Sequence, residues 1–371
     1  MKKIVLLLVT ILLMVIPISA FAKQYKLDDS TNLHFDGLVR GYCLNDQRIE
    51  WSGLESTFGA EAVINSIIEK YTSTWKIRVE GEFYLSQPFG KNILSDEMRN
   101  SYKSNFQTEI FMISKLNIQA ESNDFTIRLG KGETPFGRTY FQTFSNSFFD
   151  SPFIRTEAIL WRETGLFINY AFGLFSLDVA VANGEEDKDT NSSKAAIGRI
   201  GIGKKNYALG ISAKYQDGIG SGVQKTFKNH FGIDFMARYL NLTLSGEVIY
   251  DEYGLYRNYN EAEIFWNRSL YYRDIFYKDK TPITGVGGYL NLGYKYAKLN
   301  IDLNYGLYYP KVIGNPYHDD PNHRGIVKIA YNLTSELQVF GVGLLENERK
   351  TESWKSDASP FAFEVGLQYK F

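Results

Sequence analysis

Trp75-Lys76-Ile77-Arg78-Val79-Glu80-Gly81-Glu82-Phe83 alternates without a break between apolar or small residues and charged ones. Successive side chains of a β-strand point to opposite faces, so this stretch has one oily face and one fully charged face. The same period recurs on both sides of it. Strands are predicted at 33–42, 57–68, 72–85, 106–120, 124–131, 164–171, 174–182, 195–203, 206–216, 230–239, 241–251, 284–296, 298–309, 325–333, 336–346 and 361–371, sixteen in all.

The connections between them alternate in length. Short ones fall at Glu69-Lys70-Tyr71, Ser122-Asn123, Phe172-Gly173, Lys204-Lys205, Leu240, Ala297 and Thr334-Ser335. Long ones fall at 43–56, 86–105, 132–163, 183–194, 217–229, 252–283, 310–324 and 347–360. A strict alternation of tight turns and long loops is what a transmembrane antiparallel up-and-down β-barrel requires. A soluble sandwich gives no reason for it. The fold class read from the sequence is therefore all-β, a sixteen-stranded barrel with periplasmic turns and outer loops.

The apolar phase supports this reading. Predicted outward sets include Ile110, Met112, Ser114, Leu116 and Ile118; Phe231, Ile233, Phe235, Ala237 and Tyr239; Leu299, Ile301, Leu303, Tyr305 and Leu307; and Phe361, Phe363, Val365, Leu367, Tyr369 and Phe371. None holds a charge, and a Lys or Arg facing lipid near the bilayer midplane costs roughly 2–4 kcal/mol. Aromatics cluster at the turn-side ends of this phase, at Phe125, Tyr170, Tyr207, Tyr239, Tyr296 and Tyr331, where a girdle belongs.

The chain opens with an export signal. Lys2 and Lys3 precede the apolar run Ile4 to Ile18, and Ala20-Phe21-Ala22 forms an A-x-A site. The expected domains are a signal peptide, 1–22, and one barrel domain, 23–371. Removing Lys2 and Lys3 leaves 39 of the 41 basic residues against 42 acidic ones, a net charge of −3. That balance argues against nucleic acid as a partner. Cys43 is the only cysteine, which excludes an intrachain disulfide; it is expected where the first strand meets its loop. Phe371 closes an alternating apolar strand of the type that the barrel-assembly machinery recognises. The expected surroundings are outer-membrane lipid and lipopolysaccharide, in a Gram-negative outer membrane.

The charged phase faces the interior. From the third predicted strand onward its basic residues are Lys76, Arg78, Lys115, Arg128, Arg199, Lys214, Arg238, Lys295, Lys328 and Lys370. Its acidic ones are Glu80, Glu82, Glu109, Asp178, Asp234, Glu247, Asp251, Asp302, Glu346 and Glu364, ten against ten. Unpaired buried charge is very costly, so a wall of this kind implies a water-filled lumen. Arg199, Lys214 and Arg238 on one stretch, followed by Glu247, Asp251 and Asp302, suggest a field across the pore. Loop 132–163 is the third outer loop and carries Glu133, Arg138, Asp150, Arg155, Glu157, Arg162 and Glu163. Charged rings at a constriction set ion selectivity, so this loop is the candidate constriction.

Arg128-Leu-Gly-Lys-Gly-Glu-Thr-Pro-Phe-Gly137, Gly165-Leu-Phe-Ile-Asn-Tyr170 and Val181-Ala-Asn-Gly184 resemble the phosphate-selective porin O and P family. The local likeness covers roughly 125–200. It implies a homotrimer of sixteen-stranded channels. The family lines its channel with an excess of Arg and Lys, whereas the wall here is balanced, so phosphate is not expected as the solute.

Other signals are weak. His318-Asp319-Asp320 and Glu185-Glu186-Asp187-Lys188-Asp189 read as solvated loops rather than a catalytic or calcium site. The aromatic loop 252–283 reads as packing on the rim. The expectation is a passive diffusion channel for small hydrophilic solutes or ions, with no enzymatic activity, cofactor or metal. The competing expectation is a structural or adhesive barrel whose outer loops bind a partner.

Overall fold

The computed structural model describes residues 24–46, 57–89, 111–137, 162–184, 192–219, 226–253, 283–311, 322–346 and 361–371. The predicted signal peptide lies outside them. They form seventeen strands: β1 (Gln24–Lys26), β2 (Thr31–Asp46), β3 (Thr57–Tyr71), β4 (Lys76–Phe89), β5 (Phe111–Ser122), β6 (Phe125–Glu133), β7 (Arg162–Phe172), β8 (Phe175–Ala182), β9 (Ala195–Lys204), β10 (Tyr207–Ile219), β11 (Thr226–Tyr239), β12 (Leu242–Tyr253), β13 (Ile283–Tyr296), β14 (Leu299–Lys311), β15 (Asn322–Asn332), β16 (Leu337–Glu346) and β17 (Phe361–Lys370).

β2 to β17 pair antiparallel in chain order. The last then returns to the first, Ala362 opposite Asp46 through Lys370 opposite Leu38, and closes the barrel. Closure leaves no sheet edge to be satisfied in lipid. All sixteen predicted strands have a counterpart here. β1 was not predicted; three residues are too few to show a period. It pairs with β2 below the end of β17, Gln24 with His34 and Lys26 with Asn32. The turn joining β1 to β2 is held by Asp28, whose carboxylate accepts from Ser30 N and Oγ and from Thr31 Oγ1 at 2.7, 2.9 and 3.0 Å. Those bonds hold the Asp28 carboxyl below the usual carboxylate range, the Ser30 N–H first among them.

Seven tight turns join consecutive strands of the barrel β2 to β17 at one end. Five are two-residue turns, and Asn123, Gly173, Leu240 and Ala297 take their first positions with φ of 47°, 62°, 51° and 50°. The first turn corrects the expectation at 69–71: those residues continue β3, and the chain reverses at 72–75. Thr72 is the cause. Its N–H donates to Trp75 O at 2.8 Å and its Oγ1 accepts from Trp75 N at 2.9 Å. Cys43 likewise lies within β2, opposite Phe58 and Val365, because the strand runs on to Asp46. β10 and β11 pair beyond the expected loop start at 217, up to Ile219 opposite Thr226.

The predicted outward set of β5 fails at Ser114 and loses its phase on the far side of it. Leu116 and Ile118 are exposed as expected, but Ser114 is 2% exposed and Ile113 faces out instead. A β-bulge explains the change of phase: Glu82 pairs with Lys115 and Phe83 with Ile113, leaving Ser114 as the extra residue. Met112 stands in register with the buried Tyr84, and Ile110 lies outside the described residues.

β6 is irregular at the adjoining position. Gly130 has φ +119°, and a Cβ there would lie 2.3 Å from Leu116 O. This kink turns Lys131 away from lipid, and its Nζ donates to Ile113 O at 2.8 Å. Gly130→Ala is expected to destabilise the barrel by about 1–3 kcal/mol, the usual cost of such backbone strain, read as a lowered urea midpoint.

The remaining outward sets stand. The turn-side tyrosines, Tyr170, Tyr207, Tyr239, Tyr296 and Tyr331, are all exposed. Ile233→Lys, in the middle of the apolar band, is expected to cost roughly 2–4 kcal/mol, and Tyr239→Lys, in the girdle, about 0–1 kcal/mol. Unfolding from lipid vesicles measures both.

Candidate functional site

The interior-facing phase of the strands carries the charges, and many of them are paired. Arg199 on β9 holds Asp234 on β11 through two bonds, Nε–Oδ2 at 2.9 Å and Nη2–Oδ1 at 2.8 Å. Asp234 is fully buried. Lys214 on β10 bonds Glu163 on β7, also fully buried, and Gly184 N donates to the same carboxylate at 2.6 Å. The Lys115 ammonium sits among Glu133, Glu82 and Glu80 at 3.0, 3.2 and 3.7 Å. Arg162 Nη2 reaches Glu82 at 3.0 Å. The sequence reading treated these charges as open to water. The fold instead satisfies a large share of them with one another, which removes the cost of an isolated buried charge.

The other predicted wall residues fall as follows. Lys76 bridges Glu69 at 2.7 Å and Glu121 at 3.6 Å. Arg78 meets Glu80 at 3.5 Å. The Arg128 guanidinium lies 4.3 Å from the centroid of the Phe167 ring and donates to Glu133 O at 2.8 Å. Glu247 accepts from Tyr289 Oη at 3.0 Å. Asp302 stands opposite Lys328 in register. Asp251 pairs through its backbone with His230 and Gly285. Arg238 is exposed and makes no ion pair among the described residues. The proposed field therefore has a weaker basic side than expected, because Arg199 and Lys214 are neutralised locally.

Of the candidate constriction, Glu133 and Arg162 are placed at the ends of β6 and β7 and are paired as above. Arg138, Asp150, Arg155 and Glu157 lie outside the described residues. What the structure adds is the path of 134–137. These residues leave β6 and reach interior side chains four or more strands away. Gly137 N donates to Ser212 Oγ of β10 at 2.9 Å. The Phe136 ring is fully buried and meets the His230 ring of β11 edge-on, centroids 6.4 Å apart. Gly232 makes room for it: a Cβ there would come within 2.8 Å of the Phe136 ring. Gly137 has φ +69°, and a Cβ on it would lie 2.1 Å from Glu247 Oε1. Neither its conformation nor its surroundings admit a side chain.

Sequence reasoning missed Phe136 because an isolated aromatic in a loop has no period. It also missed a cluster on the first two barrel strands. Arg40 Nε bonds Glu61 at 3.0 Å, its Nη1 lies 3.5 Å from Glu364, and Tyr42 Oη donates to Glu61 at 3.0 Å. Beside it the interior face turns apolar, with Ile326, Ala330, Phe340, Val342, Leu344 and Ala362 buried together. Both phases of β16 are apolar, so alternation could not tell its inner side from its outer one.

No family model matches the chain, and no curated protein sequence matches it. Solved structures do. An anion-selective porin from Comamonas acidovorans superposes with a TM-score of 0.63 at 14% identity, over 92% of this chain and 100% of that one. The outer membrane channel DcaP of Acinetobacter baumannii gives 0.63 at 12%, over 94% and 99%. OmpF of Salmonella typhi, solved with daunomycin, gives 0.61 at 10%, over 94% and 100%. Likeness at this level of identity is one of fold: the chain is built as a sixteen-stranded barrel of the kind found in these outer-membrane proteins.

Proposed function

We propose that the chain is a passive diffusion channel for small hydrophilic solutes or ions in the Gram-negative outer membrane. Residues 1–22 are removed on export, the tight turns face the periplasm, and the long loops face outward. The observation that carries this reading is the 134–137 segment, anchored on β10, β11 and β12 inside a closed barrel with a charged interior. A chain segment fixed across a wide lumen narrows it, and the remainder of loop 132–163 continues from that anchor. The first of the three stretches that resemble phosphate-selective porins, Arg128 to Gly137, ends on these residues. Balanced wall charge keeps phosphate out of the proposal.

The proposed assembly is a homotrimer. Its support is the lipid-facing phase of β2 and β3, where Gly37, Gly41, Ala60, Ala62 and Ser66 alternate with Phe35, Val39 and Ile64 and thin the bulky belt. Native mass measurement of the detergent-solubilised protein tests it, and a monomer alone would remove it. Insertion by the barrel-assembly machinery is proposed through the strand ending at Phe371.

The channel itself is tested in a planar lipid bilayer. Stable single-channel steps are expected from the folded protein. A folded but electrically silent barrel would overturn the channel reading and favour the adhesive one.

A further inference from the structure

Alternate residues on the inner face of β10 each take hold of a different stretch of chain. Toward its loop-side end that face reads Ser212, Lys214 and Gln216, and all of them are buried. Ser212 Oγ accepts from Gly137 N, near the start of loop 132–163. The Lys214 ammonium donates to Glu163 Oε1, where that loop enters β7. The Gln216 amide donates to Asn183 O at 3.4 Å, at the start of loop 183–194. One residue further, Asp217 O accepts from Ser193 Oγ at 2.7 Å, near the end of the same loop.

The roots of the two loops also meet each other. The Glu163 carboxylate is shared: Oε1 faces Lys214, and Oε2 accepts from Gly184 N at 2.6 Å. Through its backbone Glu163 pairs with Gly132, just before the 134–137 segment. β8 and β9 lie between β7 and β10, and their inner faces here carry Ala180, Ala182 and Ala195, all buried. Side chains this small leave the space in which Glu163 crosses to β10. Gly184 has φ +79°, and a Cβ on it would lie 2.3 Å from Gln216 Nε2. The Gln216 amide therefore sits directly against the root of the second loop.

We infer that Lys214 and Gln216 are positioning residues: they hold the roots of loops 132–163 and 183–194 as one unit and so set the narrowed section of the lumen. Coupling between separate segments travels through contiguous packed contacts, and each link here lies on one strand or one carboxylate. A displaced Gly184 withdraws its N–H from Glu163, and Glu163 passes the change to Lys214 and Gly132. The root of the second loop thereby acts on the segment that narrows the lumen.

The inference rests on the channel reading, and the experiment keeps the two apart. Full-length protein carrying Gly184→Ala or Gln216→Ala is compared with the parent in planar bilayers, with heat-shifted gel mobility reporting the fold. Among the described residues, the hydrogen bonds of both positions run to Asn183 and Glu163 and none to 134–137. Both variants are expected to lose the parent's steady open level and to shift its reversal potential under a potassium chloride gradient. Lys214→Arg is expected to keep the open level, and Lys214→Met to lose it. Folded variants of Gly184 and Gln216 with the parent's open level and reversal potential would overturn the coupling and leave the channel in place. A second readout needs no conduction. In a background of Cys43→Ser and Thr134→Cys, the thiol introduced at the buried position 134 is titrated with a charged methanethiosulfonate. Faster reaction with Gly184→Ala or Gln216→Ala added supports the coupling, and an equal rate overturns it, whether or not the bilayer shows steps.

Discussion

Asp234→Leu is expected to destabilise the folded barrel by about 3–5 kcal/mol, the typical loss when one partner of a buried ion pair is removed. The large effect comes from what is left behind. Arg199 would keep its charge and its burial while losing both bonds of a bidentate pair, at 2.9 and 2.8 Å. Asp178 of β8, opposite Arg199 in register, offers a carboxylate that can take up part of its charge, so the loss is expected toward the lower end of that range. Gly201 and Gly210 crowd its guanidinium: a Cβ at either would lie 2.7 or 2.1 Å from it. An arginine cannot shed its proton to escape. The double variant Arg199→Met, Asp234→Leu removes both charges and is expected to recover most of the loss, since a well-packed apolar replacement of a buried pair is often neutral. Urea unfolding from lipid vesicles measures all three proteins. A double variant no more stable than Asp234→Leu alone would show that shape, and not charge, holds this part of the lumen.

Phe136→Ala is expected to raise single-channel conductance while the barrel stays folded. Among the described residues, two attachments hold the 134–137 segment. One is the fully buried Phe136 ring against β11; the other is the Gly137 N–H on Ser212 Oγ. Truncating a buried Phe loses about 3–5 kcal/mol. One hydrogen bond of about 0.5–1.5 kcal/mol cannot compensate for that. The segment then leaves the β10–β12 wall. Barrel closure does not depend on it, because every strand pairs with its neighbours independently of this contact. The gel mobility shift of heated and unheated samples reports the fold, and the bilayer reports conductance. A folded variant with unchanged conductance would mean that the segment does not limit the current.

The strands were legible because lipid outside and water inside impose a two-residue period on almost every one of them. Trp75 to Phe83 shows it most clearly, and the fold places Lys76, Arg78, Glu80 and Glu82 inside as that period requires. It failed where local geometry breaks parity. The bulge at Ser114 exchanges the outer and inner sets on its N-terminal side, and nothing in Phe111 to Ser122 announces it. Turn chemistry set the end of β3: the hydroxyl of Thr72 fixes a reversal that polarity alone puts three residues early. The site was legible as a list of residue types and illegible as pairs. Arg199 and Asp234 are 35 positions apart, and their meeting is decided by barrel register. Arg40 and Glu61 escaped for a similar reason. Gly37, Gly41, Ala60 and Ala62 dilute the pattern on β2 and β3, so the charged positions between them did not stand out as one face.

The short strand β1 has a consequence for how the barrel finds its register. The free edge of β2 is occupied from two directions. β17 takes Leu38 to Asp46, with Phe371 and Gly37 exchanging N–H to carbonyl bonds of 3.0 and 3.1 Å below it, and β1 takes Asn32 to His34. Only Phe35 and Asp36 separate the two. A slip of β17 by two residues toward β1, the smallest that keeps its oily face outward, would carry Phe371 to Phe35 and bring it end to end with Gln24, which pairs with His34. A slip of four residues in that direction would need positions on β2 that β1 already holds, so β1 sets a limit to how far the seam can slide.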